Sequence, residues 1–224
     1  MSFIQRRRSL RLHGYDYSKA GAYFITICTG DRECHLGEIL DGSIRLTEVG
    51  EVVNKYWLNI PMHFENMKID AHIVMPNHIH GIIIIHDKAD VVGVQNSKPL
   101  RHKANLVGVQ HPELPQHKAN LVGVQNFEPL QHKFQKVIPK SIGSAIRAFK
   151  AAVTNWCRNS GITNFRWQRN FHDRIIRSDS ELNRIRTYIA QNPFLWEDDV
   201  ENPRNASHIA ACEQYYGKIF GSGV

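Results

Sequence analysis

Two histidines two residues apart, His78 and His80, and a tyrosine followed four residues later by an asparagine, Tyr188 and Asn192, have types and spacing that can do chemistry together in this 224-residue sequence. Imidazoles and a side-chain amide can hold a divalent cation. A phenol, with a free pKa of about 10, becomes a nucleophile once a metal or base assists it. A cation with open coordination positions polarises the oxygens of a phosphodiester and stabilises the charge that develops on the leaving oxygen. Attack by a tyrosine stores the bond energy in a phosphotyrosine ester, so a strand can be rejoined without a nucleotide cofactor. Taken singly, each signal has a plainer reading: a pair of partly buried structural histidines, a tyrosine at the edge of a core, and an asparagine that ends a helix before Pro193.

The histidines lie in Met75-Pro76-Asn77-His78-Ile79-His80-Gly81. On a strand alternate side chains share a face, so His78 and His80 project together and Ile79 points the other way. Ile82 to Ile85 continue the strand with apolar residues on both faces, which predicts a central, rigid strand. The tyrosine falls in a helix predicted to begin at Ser178 or Ser180 and to run to about Gln191. There Leu182, Ile185 and Ile189 form an apolar stripe, and Tyr188 and Asn192 sit one above the other on its flank.

Around these two elements the pattern is mixed. Ala22 to Cys28 reads as a strand, and His35 to Leu40 and Ser43 to Leu46 flank Asp41-Gly42, a hairpin signal. Thr47 is a candidate N-cap for a helix through Val49, Val52, Val53, Tyr56 and Trp57. Lys68 to Met75 reads as a strand in which Asp70 shares parity with His72. Ser141 to Arg158 reads as an amphipathic helix, and Asp173 to Arg177 as a short extended stretch. The order suits an α+β sandwich, a sheet with helices on one face.

The formal net charge is +7 and the pI near 9.3. The basicity is concentrated: residues 140–188 hold ten Lys or Arg against three Asp or Glu, and residues 1–19 hold five against one. Such segments are the electrostatic footprint of a polyanion partner, or else a solvated basic surface. No apolar run is long enough for a transmembrane helix or a secretory signal, so no membrane association is expected. Cys28, Cys34, Cys157 and Cys212 form no C-x-x-C pair, which fits a reducing cytoplasm. Residues 89–133 are three tandem units of 15 residues, read as a long low-complexity surface loop whose histidines are passengers. The expectation is one domain over residues 1–224, interrupted by that loop and ending in an uninformative extension from Phe194 to Val224.

The combination resembles the HUH family of single-strand DNA nucleases, named for the His-hydrophobic-His motif that His78-Ile79-His80 matches. More narrowly it resembles the single-tyrosine transposases and, among them, the REP-associated tyrosine transposases. The matching stretches are Gly14-Tyr15-Asp16-Tyr17, Gly21 to Thr29, Met75 to Gly81, Trp167 to Arg177 and Glu181 to Pro193. The resemblance implies a ferredoxin-like α+β fold with an antiparallel sheet. It implies that His78 and His80 bind Mg²⁺ or Mn²⁺ and that Tyr188 attacks DNA to give a 5′-phosphotyrosine and a free 3′-hydroxyl. Relatives commonly place a glutamine ligand where this chain has Asn192.

The implied substrate is single-stranded DNA with palindromic hairpins, met at the nucleoid. The candidate DNA contacts are an arm carrying Arg6, Arg7, Arg8 and Arg11, and a groove formed by Arg147, Lys150, Arg166, Arg169, Arg174 and Arg177, with Trp167 to stack on a base. Relatives differ on dimerisation, so a homodimer is one expected assembly. Two other readings stand beside this one: a non-catalytic nucleic-acid-binding protein derived from such an enzyme, and a metal hydrolase in which water attacks.

Overall fold

The computed structural model describes residues 15–86 and 138–205. The chain divides into two units; every described residue belongs to the first, and the second, Gly93–Lys136, lies outside the described residues, as does the whole repeat tract.

Strand β1 (Gly21–Cys28) opens the fold, and the hairpin β2 (Gly37–Leu40) and β3 (Ser43–Leu46) follows. Asp41 and Gly42 both adopt positive φ, 49° and 72°, the geometry a two-residue hairpin turn demands of an Asp-Gly pair. Helix α1 (Glu48–Leu58) starts where Thr47 caps it, its hydroxyl accepting from the Gly50 amide at 3.2 Å. A short turn of helix, α2 (Ile60–His63), leads to β4 (Met67–Val74) and β5 (His78–Ile85). Helix α3 (Ile142–Asn159) is capped by Ser141, and α4 (Asp179–Gln191), which follows β6 (His172–Ile176), is capped by Ser178.

The main sheet is antiparallel in the order β4-β5-β1-β6. With α1 between β1 and β4 and α3 between β5 and β6, this is the ferredoxin-like α+β arrangement expected, and β5 is an inner strand.

Helices α1 and α3 pack together on one face of the sheet. There Val49, Val53 and Trp57 of α1 and Ile142, Ile146, Phe149 and Val153 of α3 meet Tyr23, Ile25, Ile27, Ile79 and Ile83. Gly81 is needed on this face, since a Cβ there would lie 2.3 Å from the Trp57 ring. Helix α4 crosses the opposite face, where Ile185, Tyr188 and Ile189 join Phe24, Ile82 and Ile176. It is fastened at both edges: Arg186 donates to Asp70 of β4 at 3.0 Å, and Arg174 of β6 to Glu181 at 2.8 Å.

The parity expected for β4 fails at one point. The β4–β5 register shifts between Ile69 and His72, a bulge that places one extra residue in β4. Asp70 consequently reaches α4, while His72 bonds Asn54 of α1 at 2.8 Å, so the two residues serve opposite layers.

Candidate active site

His78 and His80 sit on the α4 side of β5, both with no exposed surface, and their ring centroids are 4.4 Å apart. Each ring is oriented through Nδ1, as second partners commonly orient metal-ligating histidines.

For His78 the orienting group is its neighbour Asn77, fully buried in the turn between β4 and β5. The Asn77 amide donates from Nδ2 to the carbonyls of Arg32, at 3.0 Å, and Glu201, at 2.7 Å. Two carbonyl partners identify that atom as nitrogen, so Oδ1 must accept, and it does so from His78 Nδ1 at 2.9 Å. The proton is thereby placed on Nδ1, and the Nε2 lone pair is left facing inward.

His80 Nδ1 meets Thr26 Oγ1, its cross-strand partner on β1, at 2.8 Å, and Nε2 meets the Tyr188 hydroxyl at 3.0 Å. Tyr188 is 6% exposed, and Phe24 stacks on the His80 ring from the side.

Burial sets the charge state. It pushes His78 down to about 4, opposed by Glu201 and the Asn192 amide and assisted by Arg32. His80 is pushed well below the usual imidazole range by burial, then by His78 and by His172, which lies on the far side of Thr26 in the sheet. Both rings are therefore neutral at neutral pH, the form in which imidazole binds metal.

The structure brings Asn192 to the same place. It follows the last residue of α4, is fully buried, and donates from Nδ2 to Asp199 Oδ2 at 3.2 Å. Asn192 Oδ1 and His78 Nε2 are buried acceptors with no hydrogen-bond partner. Two lone pairs buried without a donor carry a desolvation cost that a bound cation would remove.

Asp199 completes the group: its Oδ2 is 4.0 Å from His78 Nε2, and ligand atoms of His78, His80 and Asp199 all lie within 4.8 Å of one another. Burial raises the Asp199 pKa, while the Glu201 amide, the Asn192 side chain and Arg32 lower it. The donor set fits a divalent ion, and its imidazole nitrogens suit Mn²⁺ better than Mg²⁺, which favours oxygen ligands throughout.

Asp199 lies in the tail that sequence reasoning left uninterpreted. That segment is built over the site: Glu201 accepts from Asn77, Arg32 donates to the Val200 carbonyl at 3.0 Å, and the Trp196 ring stands 6.0 Å from His78. A run of acidic residues, Glu197-Asp198-Asp199, was the one available signal, and it has no periodicity to reveal which of them turns inward.

The basic candidates are dispersed. Arg6, Arg7, Arg8 and Arg11 lie outside the described residues. Arg147 and Lys150 belong to α3, on the face of the sheet away from the histidines. Lys150 donates to the carbonyls of Gln168 and Asn170, at 2.7 and 2.6 Å, and burial pushes it down to about 8. Arg166, Trp167 and Arg169 line one cavity of about 470 Å³, in which Arg166 pairs with Asp31. The Trp167 ring packs against Phe149 and Phe165, with centroids 5.7 and 5.1 Å away. Arg174 is paired with Glu181, and Arg177 is exposed.

No family model matches this chain. Among solved structures, a REP-associated tyrosine transposase bound to a REP hairpin aligns over 83% of this chain and 73% of its own, at 19% identity and a TM-score of 0.45. A protein of Deinococcus radiodurans R1 proposed to be a transposase aligns over 80% and 95%, at 14% identity and a TM-score of 0.33. At these values the fold rests on the strand order above rather than on either overlay. A protein of Haemophilus influenzae, described only as uncharacterized, is 37% identical over 196 residues, covering 88% of this chain and 93% of its own. With that identity spread over nearly the full length of both, the chain belongs to the same family as this Haemophilus influenzae protein.

Proposed function

We propose that the protein is a divalent-metal-dependent transposase-type nuclease that cuts and rejoins hairpin-bearing single-stranded DNA, with Tyr188 as the nucleophile. The observation that carries this reading is the 3.0 Å contact between the Tyr188 hydroxyl and His80 Nε2, made across 108 residues of sequence by a helix and a strand. A buried tyrosine hydroxyl finds some partner in any fold; here the partner is an imidazole of the paired histidines.

His78, His80, Asn192 and Asp199 would hold the cation, with Thr26 and Asn77 orienting the two rings from behind. A bound ion would supply Lewis-acid polarisation of the phosphate and stabilise charge on the departing oxygen. Tyr188 supplies the attacking oxygen: a phenol O–P bond forms, the bond from phosphorus to the 3′ oxygen breaks, and the proton that the phenol gives up is matched by the one that the leaving 3′ oxygen takes up from solvent. The products are a 5′-phosphotyrosine and a free 3′-hydroxyl, and attack by a 3′-hydroxyl reverses the sequence. The histidines, Asn192 and Asp199 are fully buried, so a phosphate reaches them only when covering side chains move aside while Asp199 stays with the histidines.

Incubating the protein with hairpin DNA and Mn²⁺ should yield a denaturant-stable protein–DNA adduct that Tyr188→Phe abolishes. An adduct that survives Tyr188→Phe, or no adduct with hairpins drawn from the DNA flanking the coding sequence, would contradict the proposal.

One observation favours a second reading. Asp199 beside His78 is an acidic group placed where a water-activating base would serve a metal hydrolase. That enzyme would release a free 5′-phosphate or 3′-phosphate and never a covalent intermediate.

A further inference from the structure

The outer flank of α4 carries a groove of about 610 Å³, lined among others by Asn183, Arg184, Thr187, Tyr188, Gln191 and Leu195. Tyr188 is common to the groove and the buried site: its hydroxyl reaches His80, and the residue is also among those lining the groove. Phe194, the chain neighbour of the groove residue Leu195, leaves 74% of its surface exposed.

That ring is not loosely placed. A Cβ added to Gly42 would come within 2.6 Å of Phe194 Cδ1 and Cε1, so the phenyl rests on the bare backbone of the Asp41-Gly42 turn. The Gly42 φ of 72° independently favours glycine there. The Phe194 amide is tied to the Gln191 carbonyl at 3.0 Å. The hairpin therefore supports an aromatic ring from below and leaves the rest of it to solvent, six residues along the chain from the proposed nucleophile.

We propose that Phe194, seated on Gly42, stacks an unpaired nucleobase of a single DNA strand that lies along the α4 groove and leads to Tyr188. This rests on the reading under Proposed function and makes Phe194 a positioning residue. The groove chemistry selects the occupant. Amides and a hydroxyl, from Asn183, Gln191 and Thr187, offer donors and acceptors to base edges, and Arg184 offers a cation to a phosphate. A duplex has no free base face to offer the ring. Trp167, the aromatic that the sequence suggested for stacking, packs against Phe149 and Phe165.

The test uses the full chain carrying Tyr188→Phe, so that no covalent step intervenes, with short single-stranded oligonucleotides in which one 2-aminopurine is moved along the strand. At one position the fluorescence is expected to be quenched on binding. Phe194→Ala should remove that quenching and raise Kd about tenfold, and Phe194→Trp should restore both. Unchanged affinity and quenching in Phe194→Ala would overturn the proposal. So would a homodimer in the parent that Phe194→Ala dissociates, since the ring would then serve a second copy of the chain. Adduct formation by the unmodified protein separates the two readings. Quenching through Phe194 without an adduct keeps the stacking shelf and removes the enzyme, whereas an adduct with quenching indifferent to Phe194 does the reverse.

Discussion

Asn77 shows how much of the site is decided by single hydrogen bonds. Its two donors are fixed by carbonyls, so its oxygen fixes the His78 proton on Nδ1 and clears Nε2. Replacing Asn77 with alanine should weaken Mn²⁺ binding about 10–100-fold, the usual effect of losing a partner that orients a ligand, as read by calorimetry. An unchanged Kd would show that His78 orients itself. Burial supplies the second residue-level effect. A folded His78 pKa of about 4 lies below the value of about 6.5 for a free imidazole. Between these values the unfolded chain takes up a proton that the folded one refuses. Metal-free stability should therefore fall as pH drops from about 6.5 towards 4, by up to about 1.4 kcal/mol per pH unit from this group. His80 acts in the same direction. Asp199, raised by burial, acts in the opposite direction up to its own folded pKa, so urea titrations on Asp199→Asn isolate the histidine contribution. Stability that rose towards pH 4 in that variant would contradict the burial of the imidazoles.

Elements whose signals are local were legible in the sequence. Period-two spacing put both histidines on one face of β5, the Asp-Gly pair announced the hairpin, Thr47 and Ser141 each began a helix, and of the two serines offered for the last helix, Ser178 and Ser180, Ser178 is the cap. The Ser178 cap lies beneath the helix that carries Tyr188, and Ser178→Ala should cost about 1 kcal/mol in urea unfolding; no loss would mean that Glu181 and its partners suffice to hold that end. What was not legible depends on distant partners. The bulge after Ile69 sent Asp70 and His72 to opposite layers, Lys150 was drawn to two backbone carbonyls, and Asp199 was turned inward by the contacts of Asn77, Arg32 and Asn192. None of these leaves a pattern along the chain. The expected helix periods also could not say that α4 would take the face opposite to α1 and α3.

At the scale of the whole described fold, that separation divides the labour. The face bearing α1 and α3 holds the larger apolar cluster, and the face bearing α4 holds the candidate chemistry, with β5 contributing odd-numbered residues to the first and even-numbered residues to the second. Ile146→Ala, on the α3 face, should cost about 2–5 kcal/mol of stability and leave Mn²⁺ affinity of the folded protein unaltered. A large loss of affinity at a temperature where the variant is folded would show that the two faces are coupled. Among the described residues no helix is long and apolar enough to cross a membrane. The central claim, that strand and helix bring two imidazoles and one phenol to the same phosphate, is tested most directly by digesting the protein–DNA adduct and locating the nucleotide by mass spectrometry. The account predicts a 5′-phosphate ester on the peptide that contains Tyr188. A nucleotide on any other residue, or cleaved DNA bearing only free phosphate ends with no modified peptide, would contradict it.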